Sequence, residues 1–357
     1  MKKSVTILVV AVLVIVFFVS CGAQGGSVLA AESARSVMPV VDPITIRFGH
    51  VNVEDPNSQV HYGALAFANR VRELSGGIMQ VQIYPAGQLG SSVDMGAQVQ
   101  AGTLHIADLE NASVTNFVPE AMWSDLPYII QSYAHAEAVF GAQSSVSRWI
   151  RPLYVDNNFR LLGTYFTGFR HMMNNVNPIE HPSDMQGLVM RVMPSVVMME
   201  TLAAFGSVVV TTPFAEVPGA IIAGDIHGNE QPLGNVYSSR FYEIQPYLSM
   251  TGHFFGPRHY VFSEILWQQL TPAQQLIIID AAEYALNRKN AHHHATQAIL
   301  MQSIIDAGMQ VTHLTDENMA AFISAGATVW PMFFEPIGGG SASSGSVIID
   351  MILSYIP

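Results

Sequence analysis

ITIRFGHVNVEDPNSQVHYGALAFANRVRELSGGIMQVQIYPAGQLGSSVDMGAQVQAGTLHIADL, residues 44–109, decides the fold class. Ile44 to Val51 reads as a strand, and Ser58 to Leu74 as a helix stopped by Gly76-Gly77. Met79 to Tyr84 alternates apolar and polar residues and is closed by Pro85, the mark of a second strand. Val93 to Ala101 suits a helix ended by Gly102, and Leu104 to Leu109 a third strand. Strands alternating with helices at this spacing argue for a parallel sheet, because parallel neighbours need a crossover long enough to hold a helix.

The alternation returns further along the chain. After a helix near His135 to Ile150, strands are expected at Arg160 to Tyr165, Val189 to Met193 and Val208 to Val210, with a helix over Ser195 to Phe205. Leu248 to Gly252 and Arg258 to Ser263 are two further strand candidates. Thr271-Pro272-Ala273-Gln274 is a capping box with proline at the first helical position, so a long helix should run to about Ala307. Gly308 to His313 reads as a short strand and Asp316 to Phe334 as a helix. Gly338 to Ser346 reads as a Gly/Ser linker before an apolar segment that docks as a terminal helix. The expected architecture is α/β with two lobes around a cleft. Residues 44–167 and 256–295 form lobe I, and 168–255 and 296–357 form lobe II with the C-terminal helices. Crossing strands and the long helix join them. Ligands in such sheets gather at the carboxyl ends of the strands.

The start of the chain has a different character. Lys2-Lys3 precedes an unbroken apolar run from Ile7 to Val19, too short for a membrane span and suited to the core of a signal peptide. Residues 1–20 are therefore expected to be a signal peptide. Residues 21–43 are small and polar, and read as a flexible tether with a reach of roughly 25 Å by random-coil scaling. Cys21, the single cysteine, follows Phe18-Val19-Ser20 and resembles the cysteine of a bacterial lipobox, with Phe18 where leucine is usual. Cleavage after Val28-Leu29-Ala30 would instead discard it. The expectation is a periplasmic protein anchored to a membrane by a lipid on Cys21. One cysteine leaves no disulfide framework.

The formal charge is −12 at pH 7, or about −14 without Lys2 and Lys3. An acidic surface repels phosphate backbones, so no nucleic-acid partner is expected. There is no G-x-S-x-G, no H-E-x-x-H and no phosphate-cradling glycine loop, so neither enzymatic activity nor a cofactor is expected. Thirteen histidines raise the question of metal. His292, His293 and His294 are consecutive, however, and on a helix they point about 100° apart. His50, His61, His135, His171, His227 and His253 lack ligand spacing, and no metal is expected.

Between Arg160 and Arg240 the cations are Arg170, in T-G-F-R-H-M-M-N-N, and Arg191, in G-L-V-M-R-V-M-P. A buried guanidinium costs several kcal/mol unless an anion pairs with it or its hydrogen bonds are filled. Spacing leaves two answers open: an internal carboxylate such as Glu110 or Glu230, or the carboxylate of a ligand. Arginine suits the second because its fork matches a carboxylate bidentately.

From Ile46 to about Glu335 the chain resembles the solute-binding (P) subunit of tripartite ATP-independent periplasmic (TRAP) transporters, the DctP type. The resemblance is carried by R-F-G-H-V at 47–51, Y-P-A-G-Q-L-G at 84–90, L-P-Y at 126–128 and G-F-R-H at 168–171. It continues through D-M-Q-G-L-V-M-R-V-M-P-S at 184–195, P-F-A-E-V at 213–217 and G-N-E-Q-P-L-G-N-V-Y-S-S-R-F-Y-E-I-Q-P-Y-L at 228–248. It implies a two-lobed periplasmic-binding-protein fold, a small organic anion as ligand and an ion-driven TRAP membrane permease as partner; a monomer is expected. It also implies that Arg191 pairs with the ligand carboxylate, that Arg170 assists, and that Phe214 and Glu110 belong to the pocket. Asn52 and Asn235 join them as candidates, with Asn52 and Glu110 on the lobe facing the arginines. A sensory receptor on the same fold is the alternative reading.

This chain departs from the family in reading His227-Gly228-Asn229-Glu230-Gln231-Pro232 where D-G-Q-E-N-P is common. Gln231 thus stands in for the amide that helps hold the carboxylate, one methylene further out. Met172, Met173, Met190, Met193, Met198 and Met199 crowd both arginines. At a strand's period of two, Met193 shares a face with Arg191 and Met172 with Arg170. That pattern points to a monocarboxylate with an apolar body, unless the methionines fill the core instead.

Overall fold

A computed structural model describes residues 44–55 and 57–357. The expected signal peptide, the tether and Cys21 lie outside the described residues. β1 (Ile44–Gly49), β2 (Met79–Tyr84) and β3 (Ile106–Glu110) form the expected parallel unit, with β1 between the other two. The crossovers are α1 (Gln59–Leu74) and α2 (Ser92–Gln100). Each starts where a serine can cap it: Ser58 accepts from the His61 backbone N–H and Ser91 from that of Asp94.

A second parallel set holds β5 (Val189–Val192) between β6 (Val208–Thr211) and β7 (Gly228–Pro232). Two long antiparallel strands join the sets, β4 (Phe159–Asn174) and β8 (Tyr247–Ser263). The far end of β8 pairs with β3, and the far end of β4 pairs with β7. Together with β9 (Gln310–Thr312), which lies beside β8, they make one nine-stranded sheet of order β2-β1-β3-β8-β4-β7-β5-β6. The two-lobed α/β fold is as expected, but the strands that carry it are longer. Arg160 to Tyr165 is the first part of β4, and the two candidates at 248–252 and 258–263 are one strand. Gly252 and Pro257, which look like strand ends, lie inside it.

The crossing is built from irregular pairing. The β4–β8 register shifts between Phe166 and Phe169, and Gly168 sits there at φ 93°. A Cβ on Gly168 would also lie 2.7 Å from His293 and from the Tyr133 hydroxyl, so glycine is needed both for the turn and for the space.

The long helix, Pro272–Asp306, spans about 50 Å at roughly 1.5 Å per residue. Ala281, Ala282 and Ala285 let it lie close to the sheet and α1, where Phe48, Phe67 and Tyr260 meet edge to face at 5.1 to 5.9 Å between ring centroids. Each such pair contributes about 0.5–1.5 kcal/mol beyond its buried area.

Two expectations change. The helix near 135–150 is two, Tyr133–Phe140 and Ser145–Asp156, because Gly141 ends the first and the Ser144 side chain caps the second. The linker at 338–346 shrinks to the glycines, since Ser341 caps a helix over Ala342–Leu353. That terminal helix packs its Ile349 and Ile352 in a cluster that holds Trp123, Val139 and Val146, grouped with lobe I, and Val197 and Phe255, grouped with lobe II. Among the described residues, no helix is long and apolar enough to cross a membrane.

Candidate functional site

A cavity of about 230 Å³ lies between the two halves of the sheet. Arg191, Arg170, Gln231, Phe214, Glu110, Asn52 and Asn235 all line it, so every ligand-binding residue singled out in the sequence is brought to one place. The topology explains the convergence. β5, β6 and β7 are parallel, and their carboxyl ends deliver Arg191, then Thr211 to Phe214, then Gln231 to the same opening. From the other side come Asn52 after β1, the first residues of α2 and Glu110 at the end of β3.

Arg191 is only partly satisfied. It is 2% exposed, its Nε and Nη2 donate to the Thr212 carbonyl at 2.8 and 2.6 Å, and its Nη1 has no partner. Burial lowers its pKa to about 10, which still leaves it protonated at neutral pH. Beside it the Gln231 Oε1 accepts from Asn235 Nδ2 at 2.9 Å, while its Nε2 is buried without a partner. Asn52 Nδ2 donates to Asn235 Oδ1 at 3.1 Å, a hydrogen bond that spans the cleft and leaves Asn52 Oδ1 unpartnered.

The question that spacing left open divides between the two arginines. Arg170 Nε and Nη2 donate to the Glu230 carboxylate, and Nη2 also to the Glu230 carbonyl at 2.8 Å. Arg170 therefore has its internal carboxylate, and Arg191 has none. Glu110 pairs with neither. Its Oε1 accepts from Ser113 at 2.8 Å, and its Oε2 accepts from Ser92 at 3.0 Å and lies 3.2 Å from Arg258 Nη1.

Arg258 is the charged lining residue that the sequence reading missed. The signal was present, a lone arginine amid Phe254, Phe255, Tyr260 and Val261, as for Arg191. Its Nε donates to Asp108 Oδ1 at 2.8 Å. Burial pulls its pKa down, yet Asp108, Tyr165 and Glu110 outweigh that and raise it. Asp108 also receives Lys289 Nζ at 2.6 Å. With Lys289 protonated, the charged groups of the wall and their ion partners are thus Arg170, Arg191, Arg258 and Lys289 against Glu110, Glu230 and Asp108, a surplus of one positive charge.

The methionines do not form the wall. Met172, Met173, Met190 and Met198 are buried in the core, and Met193 alone of the six lines the cavity. Met193 keeps the face of Arg191, as period two requires. Met172 shares the face of Arg170, since it lies opposite Glu230, the carboxylate that Arg170 reaches, but it is buried away from the cavity. Serine and threonine take more of the lining than expected: Ser91, Ser92, Ser113, Thr211 and Thr212.

A sheet folded into two lobes, with an unpaired buried guanidinium between them, defines a receptor for a small anion. Residues 48–336 match the bacterial extracellular solute-binding protein family 7, DctP, and the chain belongs to that family. It is 31% identical over 274 residues to a solute-binding protein of Verminephrobacter eiseniae, covering 76% of this chain and 80% of the relative. The TRAP periplasmic solute-binding protein of Sulfurospirillum deleyianum, solved with bound succinate, superposes with a TM-score of 0.80 at 27% identity, covering 87% of this chain and 98% of that one. That of Polaromonas sp. JS666, bound to D-erythronate, gives the same TM-score, identity and coverage.

Proposed function

We propose that the chain captures a small organic monocarboxylate with a hydroxyl-bearing body, and hands it to an ion-driven TRAP permease. The observation that carries this is Arg191, a buried guanidinium with one free N–H edge beside the free Gln231 amide. A ligand carboxylate fills both. The single surplus positive charge favours one carboxylate over two. The serine, threonine and asparagine side chains around the rest of the cavity suit hydroxyl groups, each of which costs about 1–3 kcal/mol when buried unpaired. Those side chains share the cavity with Val51, Val93, Met193, Pro194, Pro213 and Phe214, so the ligand body carries apolar surface beside its hydroxyl groups. Arg170, held by Glu230, shapes the site.

The role is that of a receptor and not a catalyst. It is carried out by a monomer outside the inner membrane, held there through a lipid on Cys21. Closure of the lobes brings Asn52 against Asn235. Calorimetry against D-erythronate, 2-oxoisovalerate and succinate tests the ligand class. D-erythronate should bind tightest and succinate weakest; the reverse order overturns the charge argument. Cys21→Ser should move the protein from the membrane to the soluble fraction, and unchanged partitioning would sink the anchor.

A further inference from the structure

Lys289 is one of three lysines in the chain and lies fully buried on the long helix. It does not line the cavity, but it is tied to it by an unbroken series of contacts. Its Nζ donates to Asp108 Oδ2 at 2.6 Å; Asp108 Oδ1 holds Arg258 Nε at 2.8 Å; Arg258 Nη1 stands 3.2 Å from Glu110, on the cavity wall. The site is built for this side chain. Gly63 on α1 has no Cβ, and any Cβ there would collide with the Lys289 stem. The ammonium sits 3.5 Å from the Tyr165 ring centroid and 4.6 Å from that of Tyr260, contacts that favour a cation.

We infer that Lys289 is a positioning residue for ligand capture: its proton sets the charge of the Arg258–Glu110 wall, so that an anion entering the cavity draws a proton onto Lys289. With Lys289 protonated, two cations face Asp108 and Glu110 and that wall is neutral. With the proton gone, Arg258 alone faces two carboxylates, and the wall repels an anion. Coupling of this kind is reciprocal, so an anion in the cavity must raise the proton affinity of Lys289 by the same free energy.

The neighbours leave Lys289 as the group that titrates near neutrality. Asp108 faces it from β3, Tyr165 from β4, Arg258 and Tyr260 from β8, and His50 from β1. Burial raises both tyrosines well above their usual range and lowers His50 to about 3. His61, behind His50, is lowered by burial as well. On the long helix itself Arg288 turns outward to the Tyr62 hydroxyl. Burial lowers Lys289 to about 7, against the pull of Asp108.

The inference rests on the cavity described above but is tested without a ligand first. In the full chain labelled with [13Cε]lysine, a lysine signal should titrate between pH 6 and 8. Glu110→Gln, which removes a negative charge from the wall, should lower that midpoint by about half a pH unit, equivalent to roughly a threefold change in affinity. A signal that stays protonated to pH 9, or a midpoint unmoved by Glu110→Gln, overturns the inference. D-erythronate is then the probe anion: it should raise the midpoint, and its affinity should fall by about threefold from pH 6 to 8. Binding that is flat with pH contradicts the coupling. Failure of D-erythronate to bind at any pH would sink the ligand reading, while the ligand-free titration still decides the role of Lys289.

Discussion

The two walls of the cleft solve the problem of a buried arginine in opposite ways. On the wall of β3 and β8, Arg258 is shared between Asp108 and Glu110, and every charge has a partner inside the protein. On the wall of β5 to β7, Arg191 has only the carbonyl of Thr212. The first wall is complete before any ligand arrives, so it shapes and selects. The second is incomplete, so it supplies the binding energy: filling a desolvated charge yields more than adding a contact to one already satisfied. Arg170 lies beside the incomplete wall yet belongs with the complete one, because Glu230 already answers it.

The sharpest way to break this contrast is to remove each arginine in turn. Arg170→Ala leaves Glu230 buried without its partner and should destabilise the fold by about 3–5 kcal/mol, read from urea unfolding. A loss below about 1 kcal/mol would show that the pair is not a structural tie. Arg191→Ala should do the converse: stability within about 1 kcal/mol of wild type, and D-erythronate binding weaker by about thirtyfold or more, as expected when one partner of a desolvated pair is lost. Equal binding by wild type and Arg191→Ala would move the site elsewhere.

The smallest effect belongs to the bond between the walls. Asn235→Ala removes the acceptor for Asn52 and a hydrogen bond worth about 0.5–1.5 kcal/mol. Affinity should drop by a few-fold, and small-angle scattering of the unliganded variant should give a larger radius of gyration than wild type. An unchanged radius would mean that the contact does not hold the cleft closed.

How much of this could be read from the chain depended on whether a signal was local. The first three strands and two helices were legible to within a few residues, because alternation, glycine stops and the serine before each helix all act within a few positions. Arg191 was legible because a charge in an apolar strand stands out, and Gln231 because the family motif around it can be recognised. The long strands were not, since Gly252 and Pro257 look like ends, and only pairing with β4 across both halves shows that they bend a continuous strand. The methionines misled for another reason: period two fixes the face a residue takes but not its depth, and Met172, on the face of Arg170, lies in the core. Lys289 was visible as a rarity, but Asp108 and Tyr165 are each more than a hundred residues away, and sequence spacing carries no trace of them.

β4, β8 and the long helix each run from one half of the sheet toward the other, and the C-terminal helix then packs back beside residues of the first half. Exchanging one half for that of another receptor would need at least three simultaneous junctions, two of them inside hydrogen-bonded strands. Recombination is therefore a poor route to new ligands for this fold. Changes of appetite in such a lineage should come residue by residue, at the cavity wall and at the buried charges behind it, while the frame is inherited whole.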